Sequence, residues 1–207
     1  MTVDNFDLIR PLLNFRSDDD FYFLQVLLRK KDLKRNVQGT NNNRLVKAYY
    51  VRNLEYFDFI KPEVIELCNV FGARACINLN RRSYRKLAFQ TLQKVTDLIV
   101  NEEYTKINKA YSSVCGKFSN ETDKKWILDL DGEDFNTTKE QILKVLPMCR
   151  PEGEKFVAEI PSKSGLHIIT KPFALNEFDI FMLDIFDVKW TDVIELHKNN
   201  PTNLYCP

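Results

Sequence analysis

The run Trp-Ile-Leu-Asp-Leu-Asp at residues 126–131 stops abruptly on two aspartates. In an extended strand, residues two apart share a face, so the carboxylates of Asp129 and Asp131 project together. Two adjacent like charges are costly unless a cation neutralises them, and a carboxylate-only set suits Mg2+ or Mn2+ better than zinc. The plain alternative is a solvated turn, since Gly132, Glu133 and Asp134 follow directly. Downstream, residues 162–167 read Ser-Lys-Ser-Gly-Leu-His. On a hairpin, Gly165 lets the backbone come close to a phosphate while Ser164 and His167 supply donors. A lone histidine in an apolar strand is otherwise a hydrogen-bonded core residue; its neighbours are what set His167 apart. The other histidine, His197, reads as structural or exposed. Neither histidine stands at motif spacing from a nucleophile, so a Ser/His/Asp triad has no support.

Two basic groups accompany these acids. Arg81, Arg82, Arg85 and Lys86 cluster at a strand exit and helix start, and Arg29, Lys30, Lys31, Lys34 and Arg35 surround a turn. Either could neutralise a nucleic-acid backbone or simply form a solvated face. Tyr49, Tyr50 and Tyr84 could stack on bases, or fill half-buried strands.

The elements that must position these residues follow from periodicity and breakers. Residues 21–31 read as a strand, 36–43 as an Asn-rich loop and 45–53 as a second strand. Residues 54–71 have helical spacing, with Pro62 suggesting that a new helix begins there, and Gly72 ends it. Residues 73–83 read as a strand and 84–100 as a helix, followed by a polar connector with helical character over 101–122. Beyond it come the strand 126–131, a helix over 137–146 with Thr137 or Thr138 as its cap, two strands around a tight turn over 155–170, a helix over 174–186 and a final hairpin over 193–205. The pattern is α+β, and the second half resembles a split ferredoxin-like or RNA-recognition-motif sheet. Two lobes are expected within a single module, about 1–120 and 121–207.

The 207 residues carry a net charge of +1, but unevenly. Residues 1–120 hold 20 Lys and Arg against 13 Asp and Glu, net +7, whereas 121–207 hold 10 against 16, net −6. Brought together, a cationic wall would face an acidic one, as a site joining metal-binding carboxylates to phosphates requires. The five cysteines have no paired spacing that suggests zinc or a disulfide framework. No segment approaches a membrane span, and the N-terminus lacks the layout of a signal peptide, so a soluble cytoplasmic protein without a membrane partner is expected.

A strand with paired acids followed by Ser-Gly-Leu-His resembles the archaeo-eukaryotic primase superfamily, the primase-polymerases. The third motif of that family, an apolar residue and an acid on a later strand, is matched by Ile194-Glu195, with Asp192 as the nearest alternative. The resemblance implies a two-lobed primase-polymerase core, with a basic helix-and-strand lobe and an acidic sheet resembling the RNA-recognition motif. It implies a DNA primase or polymerase in which Asp129, Asp131 and Glu195 hold two Mg2+ or Mn2+ ions about 3.5–4 Å apart. His167, Ser164, Gly165 and Lys163 would bind a nucleoside triphosphate, and Arg81, Arg82, Arg85, Lys30 and Lys31 a nucleic-acid template. Unwinding would fall to a separate helicase, and lone chains of this kind are similar to those of phages and other mobile elements, acting in bacterial or host cytoplasm. Asp129-Leu-Asp131-Gly132 also resembles the motif of haloacid dehalogenase phosphatases, with Asp129 as nucleophile and Asp131 as acid/base. A catalytically decayed replication accessory protein that binds nucleic acid is the third expectation, because Glu195 stands where an aspartate is usual.

Overall fold

The run Phe-Tyr-Phe-Leu-Gln-Val-Leu-Leu does not alternate because both of its faces are covered. In the computed structural model, which describes residues 2–29, 43–117, 123–132 and 135–207, it forms strand β2. Phe21 and Phe23 pack on Leu87, Val114 and Cys115, while Tyr22, Leu24 and Val26 enter the main core. A buried strand covered on both sides has no solvent face to mark with polar residues.

The chain begins with β1 (Val3–Asp4) and the single helical turn α1 (Phe6–Ile9), then runs through β2 (Asp20–Leu28), β3 (Arg44–Val51), α2 (Leu54–Phe71), β4 (Arg74–Ile77), β5 (Arg82–Ser83), α3 (Tyr84–Val100) and α4 (Ala110–Lys117). The second half is β6 (Trp126–Asp131), α5 (Phe135–Val145), β7 (Phe156–Pro161), β8 (Gly165–Thr170), α6 (Leu175–Phe186), β9 (Glu195–His197) and β10 (Thr202–Cys206). The fold is α+β with two antiparallel sheets, one ordered β1-β10-β4-β2-β3 with β5 paired to β2, the other β7-β8-β6-β9.

The second sheet and its helices form a β-α-β-β-α-β unit whose first strand, β6, sits centrally between β8 and β9. Leu128 and Leu130 of β6, with Leu166 and Ile168 of β8, pack on Ile142 and Val145 of α5 and on Phe178 and Met182 of α6. By the two-residue period, Ile127, Asp129 and Asp131 then face away from the helices. At one end of that free face Ile127, Ile160 and Ile169 join the core of the first sheet and α2. The other end stays open.

Several expected boundaries shift for identifiable reasons. α2 runs unbroken through Pro62, because the carbonyl that loses its partner belongs to Asp58, on the exposed side of the helix. Asn53 caps its start by accepting from the N–H of Tyr56, and Gly72 closes it at φ 60°. The segment 73–83 divides into β4 and β5, and α5 begins at Phe135, so Thr137 and Thr138 lie inside it rather than at its cap. The final segment is not a hairpin: β9 pairs with β6, whereas β10 crosses into the first sheet between β1 and β4. Buried Asn80 secures that crossing by donating to the carbonyls of Lys125 and Lys198, and Asn5 donates to Pro161 and Asn203. The last strand therefore belongs to the first sheet, although it follows the second in sequence. Most of the 36–43 loop, together with Lys30, Lys31, Lys34, Arg35 and Glu133, lies outside the described residues.

Candidate functional site

Sheet register brings three of the expected residues into one row. Asp129 on β6 stands directly opposite His167 on β8 and directly opposite Glu195 on β9, so all three project from the free face. His197, two residues beyond Glu195, shares that face.

Asp129, His167 and His197 from this face form one wall of a cleft of about 450 Å3 between the sheets, with Glu195 outside it. Asp129, Asp131, Ser162, Lys163, Ser164, His167 and His197 line one side; Leu27, Arg29, Arg74, Cys76 and Asn203 line the other. Arginines from the basic half thus share a cavity with aspartates from the acidic half, as the charge asymmetry anticipates. A second, shallower cavity of about 360 Å3 joins Asp129, Asp131 and Glu195 to Asp192, which ends a single 3-10 turn at Trp190–Asp192.

His167 is buried and fixed at both nitrogens. Nδ1 lies 2.8 Å from the hydroxyl of Thr202, and Nε2 lies 3.3 Å from Asp129 Oδ1. Burial pushes the Asp129 carboxyl up, but the hydrogen bond and charge of His167, with His197 behind it, outweigh that and leave its pKa below the ordinary value. His197 Nε2 is 3.7 Å from both Asp129 Oδ2 and Glu195 Oε1, while its Nδ1 meets the amide of Asn200 at 2.9 Å. Ligand atoms of Asp129, Glu195 and His197 lie within 4.8 Å of one another.

Asp131 stands apart from that group. Exposed at the end of β6, it accepts the Ser164 hydroxyl at 2.8 Å. Ser164 is thereby engaged by the acid strand, and Lys163 sits exposed at the cleft mouth, 3.4 Å from the carbonyl of Pro207. The need for glycine at 165 is internal to the sheet: a Cβ there would lie 1.9 Å from the carbonyl oxygen of Leu130. Gly165 lets β8 approach β6 rather than leaving open space for a phosphate.

The basic cluster at the start of α3 is largely structural. Arg81, 3% exposed, pairs with Asp20 at 3.3 Å and donates to the carbonyl of Asn14 at 2.6 Å. Arg82, 2% exposed, donates to the carbonyls of Cys115 and Asn80, and burial lowers its pKa to about 10. Neither is presented to a template; Arg85 and Lys86 remain exposed. Tyr49 is buried in the main core, and half-buried Tyr50 and Tyr84 stack on Phe23 and Phe21, so all three serve the packing.

The expectations missed His197, whose signal was its position two residues after Glu195 on a strand, and Arg74, which reaches the cleft from β4. No helix among the described residues is long and apolar enough to cross a membrane. Comparison of the chain with protein-family models, with curated proteins and with solved structures returns no significant match.

Proposed function

We propose that the protein is a metal-dependent nucleotidyltransferase of the primase-polymerase type, adding nucleotides to a primer on a nucleic-acid template. The observation that carries this reading is the cross-strand row of Asp129, His167 and Glu195, of which Asp129 and His167 line a cleft that also holds Arg29, Arg74 and Lys163. The β-α-β-β-α-β order around β6 supports it, being the order expected of a sheet resembling the RNA-recognition motif. The donor set fits a divalent ion: Asp129 Oδ1 is buried without a well-aligned hydrogen bond, and a second carboxylate stands across from it. Asp129 and Glu195 are the carboxylates that would hold Mg2+ or Mn2+.

When bound, such an ion supplies charge neutralisation at the transferring phosphoryl group and lowers the pKa of the attacking hydroxyl. The chain's own residues do the rest. Thr202 holds the His167 ring so that Nε2 points at Asp129, keeping the carboxylate in one orientation. Arg29 and Arg74 give a triphosphate a cationic wall opposite the acids, with Lys163 on the acids' own side, and the charge these residues supply offsets that of departing pyrophosphate. Ser164 ties the 162–164 turn to Asp131, fixing the mouth of the cleft where Lys163 stands.

Incubation with a primed single-stranded template, Mg2+ or Mn2+ and labelled nucleoside triphosphates tests the reading. Template-dependent extension that disappears in Asp129→Ala is expected. Extension that survives Asp129→Ala would overturn it, and template binding without any extension would favour the accessory-protein reading.

A further inference from the structure

We infer that His197 is itself a metal ligand: Asp129, Glu195 and His197 form one mixed carboxylate and imidazole centre that takes a first-row transition ion in preference to Mg2+, with Asp131 outside it. The inference rests on the reading above that the acidic row holds a divalent ion, and it changes which residues hold that ion and which ion they prefer.

Three separate observations carry it. The three ligand atoms already lie within 4.8 Å of one another, contributed by the central strand of the sheet and its edge neighbour. Asp129 and Glu195 are directly opposed across an antiparallel pair, an arrangement that costs stability when both are charged and nothing cationic lies between them. The nearest donor to buried Asp129 Oδ1 is His167 Nε2, at 3.3 Å and poorly aligned, which leaves that oxygen only weakly satisfied beside the cleft.

The surroundings of His197 suit ligation. Its Nδ1 is 2.9 Å from the side-chain amide of Asn200. The atom placed there is the amide nitrogen; flipping the Asn200 amide, so that its oxygen accepts from Nδ1–H, turns the Nε2 lone pair toward the two carboxylates and gives the ring the outer partner that metal-binding histidines have. Asp131, by contrast, has its own donor in Ser164 and lies outside the group. An imidazole ligand favours later transition ions over Mg2+, which prefers oxygen and retains its water.

A protonated His197 between the two carboxylates is the competing explanation, because it would supply the same positive charge without any ion. Calorimetric titration of the full chain with Co2+, Mn2+ and Mg2+, together with the visible absorption of bound Co2+, separates the two. Co2+ binding tighter than Mg2+ by at least about tenfold is expected from the ligand type. His197→Ala and His197→Gln should each weaken Co2+ binding by at least about tenfold, the scale on which even outer partners act. Both should alter the Co2+ spectrum, with circular dichroism verifying that the chain is folded. Asp131→Asn should change affinity by less than about twofold, as an independent site does. Equal affinity for Mg2+ and Co2+, an unchanged Co2+ spectrum in folded His197 variants, loss of binding in Asp131→Asn, or no binding of any of these ions would each overturn the inference. None of these readouts needs template or nucleotide. A chain that binds Co2+ through His197 yet extends no primer would leave this inference standing and overturn the polymerase reading alone.

Discussion

His167 Nδ1 lies 2.8 Å from Thr202 Oγ1, and both residues are buried. The bond joins β8 of the acidic sheet to β10 of the basic one, so the histidine beside Asp129 is aimed by the last strand of the chain. Thr202→Val keeps the branched shape and removes the partner. Leaving a buried ring nitrogen unpaired costs about 1–3 kcal/mol, which urea denaturation should detect. Primer extension should fall with it, and Thr202→Ser, which restores the hydroxyl, should recover both. Recovery of stability without recovery of extension would show that the bond serves the fold alone.

Gly165 illustrates how closely β8 and β6 approach. A Cβ at that position would meet the Leu130 carbonyl at 1.9 Å, and the obstacle is backbone, so it cannot rotate away. Gly165→Ala should destabilise the protein by about 3 kcal/mol or more, at the upper end of overpacking costs. Because Asp131 is the register partner of Gly165, the strain falls on the end of the acid strand. Extension should therefore be lost even at temperatures where the variant is folded.

Asp19 offers a test by pH. It accepts the Ser83 hydroxyl and the backbone N–H of Arg85, the latter at 2.8 Å, and so anchors the start of α3. The Ser83 bond is the largest cause of a carboxyl pKa held below the ordinary value, with the Arg85 N–H second. A depressed folded value means that the unfolded chain binds more protons in this range, so stability rises with pH there. The contribution is whole above about pH 4, near the unfolded value, and is lost as pH falls through the folded one. Asp19→Asn should lower the urea midpoint at neutral pH, and the gap from the parent chain should close on acidification. A gap that is constant across that range would show that the anchor is not electrostatic.

The apolar run that stops on acids at 126–131 and the spacing of 84–100 made β6 and α3 legible from sequence, because each pattern is set by neighbours a few positions away. The grouping of Asp129 with His167 and Glu195 was expected only from the family resemblance, because it depends on β8 and β9 lying beside β6, far along the chain. Burial of Arg81 and Arg82 was not legible. Their partners Asn14, Asn80 and Cys115 include residues far away in the chain, and a basic run beside a helix start looks identical when it is solvated. The fate of residues 193–205 was hidden likewise. The Asn-Asn-Pro turn fits a hairpin locally, yet β10 gains more by filling the gap between β1 and β4, where Leu204 and Cys206 are buried. His197 escaped notice because its meaning depends on β9 lying next to β6, which no local pattern specifies.

The separation of structural from cleft-facing arginines yields the sharpest contrast between two substitutions. Arg29 lines the cleft opposite the acids, whereas Arg82 is buried against the carbonyls of Cys115 and Asn80. If a single-stranded template backbone passes along the wall that Arg29 lines, Arg29→Ala removes one phosphate contact. Binding should then weaken alike for templates of different sequence, and the slope of log affinity against log salt should become shallower by about 0.7. Arg82→Ala leaves two carbonyls without their donor, and should cost about 2 kcal/mol or more of stability. Yet at a temperature where that variant is folded, the salt slope should match the parent chain. Fluorescence anisotropy with labelled single-stranded DNA across a salt series measures both. An unchanged slope in Arg29→Ala, or a slope shifted equally by Arg82→Ala, would move the template off this wall of the cleft.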